Sequence, residues 1–228
     1  MNRRNLLRAA ASGACLCLHG AGSQPVSRVI VGFQPGGSSD FVGRISAQVL
    51  QDVLGQSYVV ENRPGAGGRL ALDVVRRASP DANTLGVAAQ GAITLFPYVY
   101  KNLGYNPLTD LTPVSRLVSF DYALTVGPAV PARTLGQYVR WAQANPARAS
   151  FASAGAGTTP HFVGTAFHRK IGVAAVHVPY KGTAPAIPDL ISGRIPAMLA
   201  TLSDSLQQHR SGSLRILAVA GAERSTIF

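Results

Sequence analysis

Cysteine is nearly absent from this 228-residue sequence, and its two copies, Cys15 and Cys17, both lie near the amino terminus. If that segment is removed, the remaining chain has no thiol, which excludes disulfides, cysteine-bound metals and a cysteine nucleophile. A continuous apolar run of about eighteen residues, which a membrane-spanning helix needs, is also missing. Charged residues make up only 14% of the chain and hydrophobic residues 46%, a balance typical of a folded globular protein.

Known enzyme motifs are missing as well. The "GAGG" at 65–68 does not open a dinucleotide-binding G-x-G-x-x-G motif, because Leu70 stands at the last glycine position. Neither a P-loop nor a G-x-S-x-G nucleophile elbow occurs. His161 and His168 lie seven positions apart on one predicted helix, where we expect a capping role for His161 and a surface position for His168 rather than metal coordination. The sequence therefore predicts no metal, no cofactor and no catalytic residue.

Residues 1–23 are predicted to be an export signal. Arg3, Arg4 and Arg8 precede or flank the weakly apolar "AAASGACLCL", and the small residues "AGS" that follow place the cleavage before Gln24. The segment "RRNLLR" also resembles a twin-arginine signal, which leaves the export route open. The alternative is an ordinary basic amino terminus. Export predicts a periplasmic location.

Basic residues outnumber acidic residues in the rest of the chain. Removal of the three arginines of the signal lowers the number of Lys and Arg residues from 21 to 18 against 10 Asp and Glu residues, so the net charge falls from +11 to +8. The basic residues are scattered, which predicts a surface that attracts anionic ligands. They are not interleaved with aromatic residues and match no DNA- or RNA-binding module, so nucleic acid is not an expected partner.

Strand-like and helix-like segments alternate along the chain. Residues 27–89 have the order βαβαβ, which predicts a largely parallel sheet with helices on both faces. The first helix is marked by apolar residues at helical spacing: Val42, Ile45, Val49 and Val53. The same plan recurs over 148–221, where "LRILAVAG" has the apolar character of a central parallel strand. The predicted fold class is therefore α/β, with two lobes.

Two glycine-rich turns follow strands at corresponding places in the two lobes. The first glycine turn is "FQPGGSSD" at 33–40, and the second glycine turn is "SAGAGTTPH" at 153–161. Glycine removes Cβ atoms from the approach to the backbone, and Ser, Thr or Asp can cap the helix that follows. The first N–H groups of each helix then point toward one spot, which favours an anion. Together the two turns predict a site that binds a small anion from two sides, whereas either turn alone could have a purely structural role.

Seven motifs carry a resemblance to a known family. In order they are "VGFQPGGSSDFVGR", "VVENRPGAGGRLALDVV", "SPDANTL", "DLTPVSRL", "FASAGAGTTPHFVG", "HVPYKGTAPAIPDLISG" and "GSLRILAVAGAERS". They resemble the tripartite tricarboxylate transporter receptors, which are the Bug-type (TctC) periplasmic solute-binding proteins. The resemblance implies a two-lobed, Venus-flytrap fold of the type II-like periplasmic-binding-protein class and a monomer in the periplasm. It also implies a small carboxylate ligand (a di- or tricarboxylate, an amino acid or an aromatic acid) and a two-component membrane permease as partner.

The resemblance further implies lobe boundaries and ligand-binding residues. Lobe 1 is expected over 24–122, with 218–228 returning toward it, and lobe 2 over 123–217. The implied ligand contacts of lobe 1 are Phe33, Pro35, Gly36, Gly37, Ser38 and Gln90. Those of lobe 2 are Ser153, Ala154, Gly155, Thr158, His161, Tyr180, Lys181 and Thr201.

The sequence departs from the family pattern in three places, the first of which is "PDANTL" at 80–85, where the family usually has "PDGYTL". "IPAMLAT" at 195–201 stands where the family has acidic residues, so the distal side of the pocket is expected to differ. The family pattern also continues past the last residue of this chain, so the first lobe is expected to be incomplete. Two alternatives to a receptor stay open: a non-functional truncated gene product, and an enzyme acting on a small anionic substrate.

Overall fold

The computed structural model describes residues 26–221 and 223–226, and the predicted export signal lies outside the described residues. The strands are β1 (Ser27–Val31), β2 (Tyr58–Asn62), β3 (Thr84–Val87), β4 (Tyr122–Val126), β5 (Ser150–Ser153), β6 (Val176–Pro179), β7 (Ala197–Thr201) and β8 (Arg215–Val219). The α-helices are α1 (Ser38–Leu54), α2 (Arg69–Arg77), α3 (Gln90–Thr94), α4 (Phe96–Val99), α5 (Leu135–Ala144), α6 (Thr159–Lys170), α7 (Ala186–Ile191) and α8 (Leu202–Arg210). Short 3₁₀ helices occur at Ala66–Gly68 and Pro146–Arg148.

The first sheet has the strand order β2-β1-β3 and is entirely parallel. Its central strand, β1, is apolar on both faces because α1 and α2 both pack against it: Val29, Ile30 and Val31 are at most 2% exposed. This arrangement confirms the parallel βαβαβ prediction for the first part of the chain. Because all three strands run the same way, their carboxyl ends meet at one edge of the sheet.

The second sheet has the strand order β6-β5-β7-β4-β8 and is mixed. Strand β5 is parallel to β6 and β7, whereas β4 is antiparallel to both β7 and β8. The prediction of a central parallel strand at 214–221 is wrong, because in the part of the chain that the structure describes β8 is antiparallel to β4 and lies at an edge of the sheet. It is apolar on both faces because Ile216 packs under Leu202 of α8 while Leu217 packs against the core on the other side.

Helix α1 follows the first glycine turn, but its apolar spacing marks its exposed side. Phe41, Ile45, Val49 and Val53 are 66%, 51%, 53% and 75% exposed. The side that contacts the sheet carries small residues such as Gly43, where an added Cβ would lie 2.6 Å from a methyl group of Val31. No helix within residues 26–221 and 223–226 is both long and apolar enough to cross a membrane.

The core of the second sheet includes a histidine that the sequence placed at the surface. His168 is 1% exposed, its Nε2 forms a 2.8 Å hydrogen bond with the hydroxyl of Tyr138, and its ring stacks on Phe151. Burial lowers the pKa of His168 below its usual value. The prediction that His168 lies at the surface is therefore wrong, because His168 is on the side of α6 that faces the core of the second sheet.

Candidate ligand-binding site

A cavity of about 410 Å³ opens between the two sheets. Its walls come from the loops that follow β1, β2, β5 and β6, so the carboxyl ends of parallel strands from both sheets meet around it. Its volume and position are those of a small-molecule site in an α/β protein. We call it the inter-lobe cavity. Its lining residues are Gly32, Phe33, Gly65, Ala66, Gly67, Arg69, Tyr100, Ala154, Gly155, Ala156, Pro179, Tyr180 and Lys181.

Five residues predicted from the sequence line this cavity: Phe33, Ala154, Gly155, Tyr180 and Lys181. Phe33 supplies an apolar wall and is only 8% exposed. The hydroxyl of Tyr180 donates a 2.6 Å hydrogen bond to Asp189, and burial, followed by that carboxylate, raises the pKa of Tyr180 to about 12. Tyr180 therefore stays neutral at ordinary pH.

The N–H groups of the first glycine turn are occupied by carboxylates of the chain itself. Gly36 donates its N–H to Asp40 over 3.0 Å, and Ser38 donates its N–H to Asp204 over 2.7 Å. The residue before α1 is Gly37, which has no side chain to cap the helix, contrary to the local capping expected from Ser38, Ser39 or Asp40. Of the predicted residues in this turn, Pro35, Gly36, Gly37 and Ser38 do not line the inter-lobe cavity, and their ligand-contact role stays a prediction.

Asp204 comes from α8 and reaches across to the start of α1. Besides the Ser38 N–H, its carboxylate accepts hydrogen bonds from the hydroxyls of Thr183 and Ser38 and from the N–H of Thr201. Burial raises the pKa of Asp204 above its usual value, and these hydrogen bonds oppose that shift. Asp204 also lines a smaller cavity of about 210 Å³ that includes Gly36. The Asp204 carboxylate therefore occupies the position at which the sequence predicted the carboxylate of a ligand.

The polar side chains of the second glycine turn are also engaged within the protein. Thr158 donates its hydroxyl to the carbonyl of Gly155 over 2.6 Å, and Ser153 is hydrogen-bonded over 2.7 Å to Nε2 of His177. His161 accepts the N–H of Gly157 and stacks on His177 with ring centroids 3.9 Å apart. Burial, followed by the nearby His161, lowers the pKa of His177 to about 4.

None of these polar side chains lines the inter-lobe cavity, nor do the two remaining predicted contacts, Gln90 and Thr201. Gln90 begins α3 and is exposed. Thr201 immediately precedes α8, and its N–H donates a hydrogen bond to the Asp204 carboxylate. The ligand-contact role of Ser153, Thr158 and His161 stays a prediction.

The structure adds a wall that sequence reasoning missed, the loop 65–68 together with Arg69 and Tyr100. The guanidinium carbon of Arg69 lies 3.9 Å from the ring centroid of Tyr100, and its Nε donates to the carbonyl of Ala66. The sequence signal for this wall is "RPGAGG", because a glycine-rich loop after β2 lies at the same edge of the sheet as the loop after β1. Within the part of the chain that the structure describes, no three His, Cys, Asp or Glu side chains are grouped to hold a metal ion.

The two halves of the cavity wall are hydrogen-bonded directly to each other. Gln34 donates its N–H to the carbonyl of Lys181 over 2.9 Å. Tyr100 donates its hydroxyl to the carbonyl of Ala156 over 3.2 Å. With the contact between Ser38 and Asp204, these hydrogen bonds join the first sheet and its loops to the second. The arrangement is that of two lobes closed on a shared cavity.

Comparison with known proteins identifies the family. Residues 42–228 match the tripartite tricarboxylate transporter family receptor. The chain is 35% identical to the protein BugT of Bordetella pertussis over 88% of its own length, and it spans 62% of the length of that relative. Its fold is similar to that of the periplasmic binding protein BugD, with a TM-score of 0.82 and 33% identity over 87% of this chain and 66% of that one.

A Rhodopseudomonas palustris protein solved with adipate has the same TM-score of 0.82, at 32% identity over 87% of this chain and 67% of that one. These likenesses confirm the two-lobed α/β fold of periplasmic binding proteins that the sequence predicted. The chain therefore belongs to the tripartite tricarboxylate transporter receptor family.

Proposed function

We propose that the protein is a solute-binding receptor that captures a small carboxylate-bearing metabolite in the inter-lobe cavity. The observation that carries this proposal is a cavity between two lobes whose walls hold glycine-rich loops and two cations, Arg69 and Lys181, and no Asp or Glu. Such a site attracts an anion and admits it close to the backbone. The adipate bound to the Rhodopseudomonas palustris relative supports the same ligand class.

We also propose that the receptor works in the periplasm as a monomer and delivers its ligand to a two-component membrane permease. The predicted export signal and the periplasmic binding protein BugD support the location. The family description, a transporter receptor, supports the partnership. Binding without turnover is the expected activity, because the proposed role ends with release of an unchanged ligand.

Calorimetric titration of the purified protein with a panel of small carboxylic acids tests the proposal. We expect at least one acid to bind in the micromolar range, equivalent to about 8 kcal/mol, and to be recovered unchanged. Gly155→Val should abolish this binding, because it places two methyl groups in the cavity between Gly67 and Tyr180. Gly136→Val is the matched control, because Gly136 lies on α5 where an added Cβ meets only the distal end of Arg140.

The possible outcomes separate the proposed receptor from its alternatives. If no acid of the panel binds the wild-type protein, the receptor proposal is wrong and the non-functional alternative stands. If a bound acid is converted to a product, the protein is an enzyme. If Gly155→Val binds as well as the control, the ligand lies outside the inter-lobe cavity.

A further inference from the structure

The inter-lobe cavity contains two cations that no carboxylate neutralises. In residues 26–221 and 223–226, neither Arg69 nor Lys181 lies within ion-pair distance of an Asp or Glu side chain. Apart from these two cations, the polar side chains of the wall are the hydroxyl groups of Tyr100 and Tyr180, and the wall contains no Asp or Glu. One monocarboxylate would therefore leave an excess positive charge in the closed cavity, whereas a ligand with two anionic groups would neutralise both cations.

Arg69 is held in a fixed position at the cavity wall. It is the first residue of α2, and its guanidinium stacks over the ring of Tyr100 at 3.9 Å. Its Nε donates to the carbonyl of Ala66 over 3.1 Å, and among the described residues no hydrogen bond occupies its terminal nitrogens. A guanidinium fixed in this way presents a planar pair of donors that suits a carboxylate.

Lys181 reaches the same cavity from the opposite side. It follows β6 of the second sheet, and its backbone carbonyl accepts the N–H of Gln34. Its exposed ammonium group is a flexible point charge, in contrast to the stacked guanidinium of Arg69. The two cations thus belong to opposite walls, one from each sheet, so a ligand that contacts both spans the cleft.

We propose that Arg69 is the specificity-determining residue of this receptor and that it selects ligands with a second anionic group. This inference rests on the proposed function. Lys181 steers one carboxylate into the cleft, and Arg69 holds the other with its terminal nitrogens. Arg69 distinguishes diacids from monoacids mainly through its fixed geometry, because its side chain has little conformational freedom left to lose when a carboxylate binds.

The test compares paired acids. Succinate, glutarate and adipate are each titrated against the monocarboxylate with the same number of carbon atoms, using the full chain. We expect the best diacid to bind at least about 10-fold more tightly than its monoacid, because a hydrogen bond to a charged group contributes about 1.5–3 kcal/mol. Arg69→Gln should remove this preference by weakening the diacid about 10- to 100-fold while changing the monoacid less than about 3-fold.

Two further variants keep the result interpretable. Arg69→Lys retains the charge but not the paired donors, so its preference for the diacid should lie between those of the wild type and Arg69→Gln. Arg77→Gln is the control for loss of a positive charge from α2, because Arg77 is paired with Asp73 and does not line the cavity. It should leave the ratio of the two affinities unchanged.

Each outcome bears on one of the two proposals. If the wild-type protein binds monoacids as tightly as diacids, the inference about Arg69 is wrong and the receptor function stands. If Arg69→Gln keeps the wild-type ratio, the second anionic group is held elsewhere and the inference is also wrong. If the wild-type protein binds no acid at all, the proposed function fails and this inference fails with it.

Discussion

Replacing Asp204 by alanine should loosen the contact between the two lobes. The Asp204 carboxylate is the acceptor that joins the first turn of α1 to α8, and it accepts the Ser38 N–H over 2.7 Å. The hydroxyls of Thr183 and Ser38 and the N–H of Thr201 donate to the same carboxylate. Asp204→Ala removes the acceptor from all of these donors at once.

The expected loss can be worked from those hydrogen bonds. A hydrogen bond contributes about 0.5–1.5 kcal/mol net, and the Asp204 carboxylate accepts several of them. We therefore expect Asp204→Ala to lower the free energy of unfolding by about 2–4 kcal/mol. Asp204→Asn should cost less than Asp204→Ala, because the amide keeps one accepting oxygen for the Ser38 N–H.

Hydrogen exchange is the direct assay. The Ser38 amide should lose protection in Asp204→Ala and keep most of it in Asp204→Asn, and urea unfolding should give the two free energies. Asp52→Ala is the matched control on the same helix, because Asp52 is exposed and accepts a hydrogen bond from the exposed Gln48; it should change stability by less than about 0.5 kcal/mol. Unchanged protection of the Ser38 amide in Asp204→Ala would refute the reasoning.

Three further predictions follow from other contacts of the site. Because burial and the nearby His161 lower the folded pKa of His177 to about 4, the unfolded chain binds more protons between that value and 6.5. Stability should therefore fall as the pH is lowered through that window, by less than the roughly 3 kcal/mol that the full shift would give, since the ring is partly exposed to solvent; His177→Gln should flatten this dependence in pH-dependent urea unfolding. Gly67→Ala should weaken ligand binding in calorimetry, because φ is +67° and the new Cβ would lie 3.1 Å from Phe96 and 3.3 Å from Thr158; unchanged affinity would contradict it. Tyr100→Phe should cost about 1 kcal/mol in thermal unfolding through loss of the hydrogen bond to Ala156, and an unaltered melting temperature would mean that this contact contributes nothing.

The parallel βαβαβ arrangement of the first lobe could be predicted, but the orientation of its first helix could not. An apolar spacing at Ile45, Val49 and Val53 predicts a helix correctly, because periodicity is a local property. Which side of that helix contacts the sheet depends on how closely two backbones approach. Gly43 allows the close approach to Val31, whereas Ile45, Val49 and Val53 lie on the exposed side of the helix.

The parts of the candidate site that are formed by glycine-rich backbone could be predicted from the sequence. The parts that depend on a side chain distant in the sequence could not. The resemblance implied ligand contacts at Phe33, Ala154 and Gly155, and the structure places all three at the cavity wall, because glycine-rich loops after parallel strands gather at one edge of a sheet; their contact with a ligand stays a prediction. No local signal connects Asp204 to Ser38 across 166 positions of sequence. Arg69 was missed because a basic residue at the start of a helix is ordinarily on the surface.

The hydrogen bonds between the lobes have a consequence for affinity. Two of them, from Gln34 to Lys181 and from Ser38 to Asp204, join protein atoms only and can therefore form without a ligand. At about 1 kcal/mol each they would shift the balance between open and closed forms of the empty receptor roughly 30-fold toward the closed form. Apparent affinity scales with the population of the binding-competent form. Two receptors with identical cavity walls could therefore differ in affinity through residues that never touch the ligand.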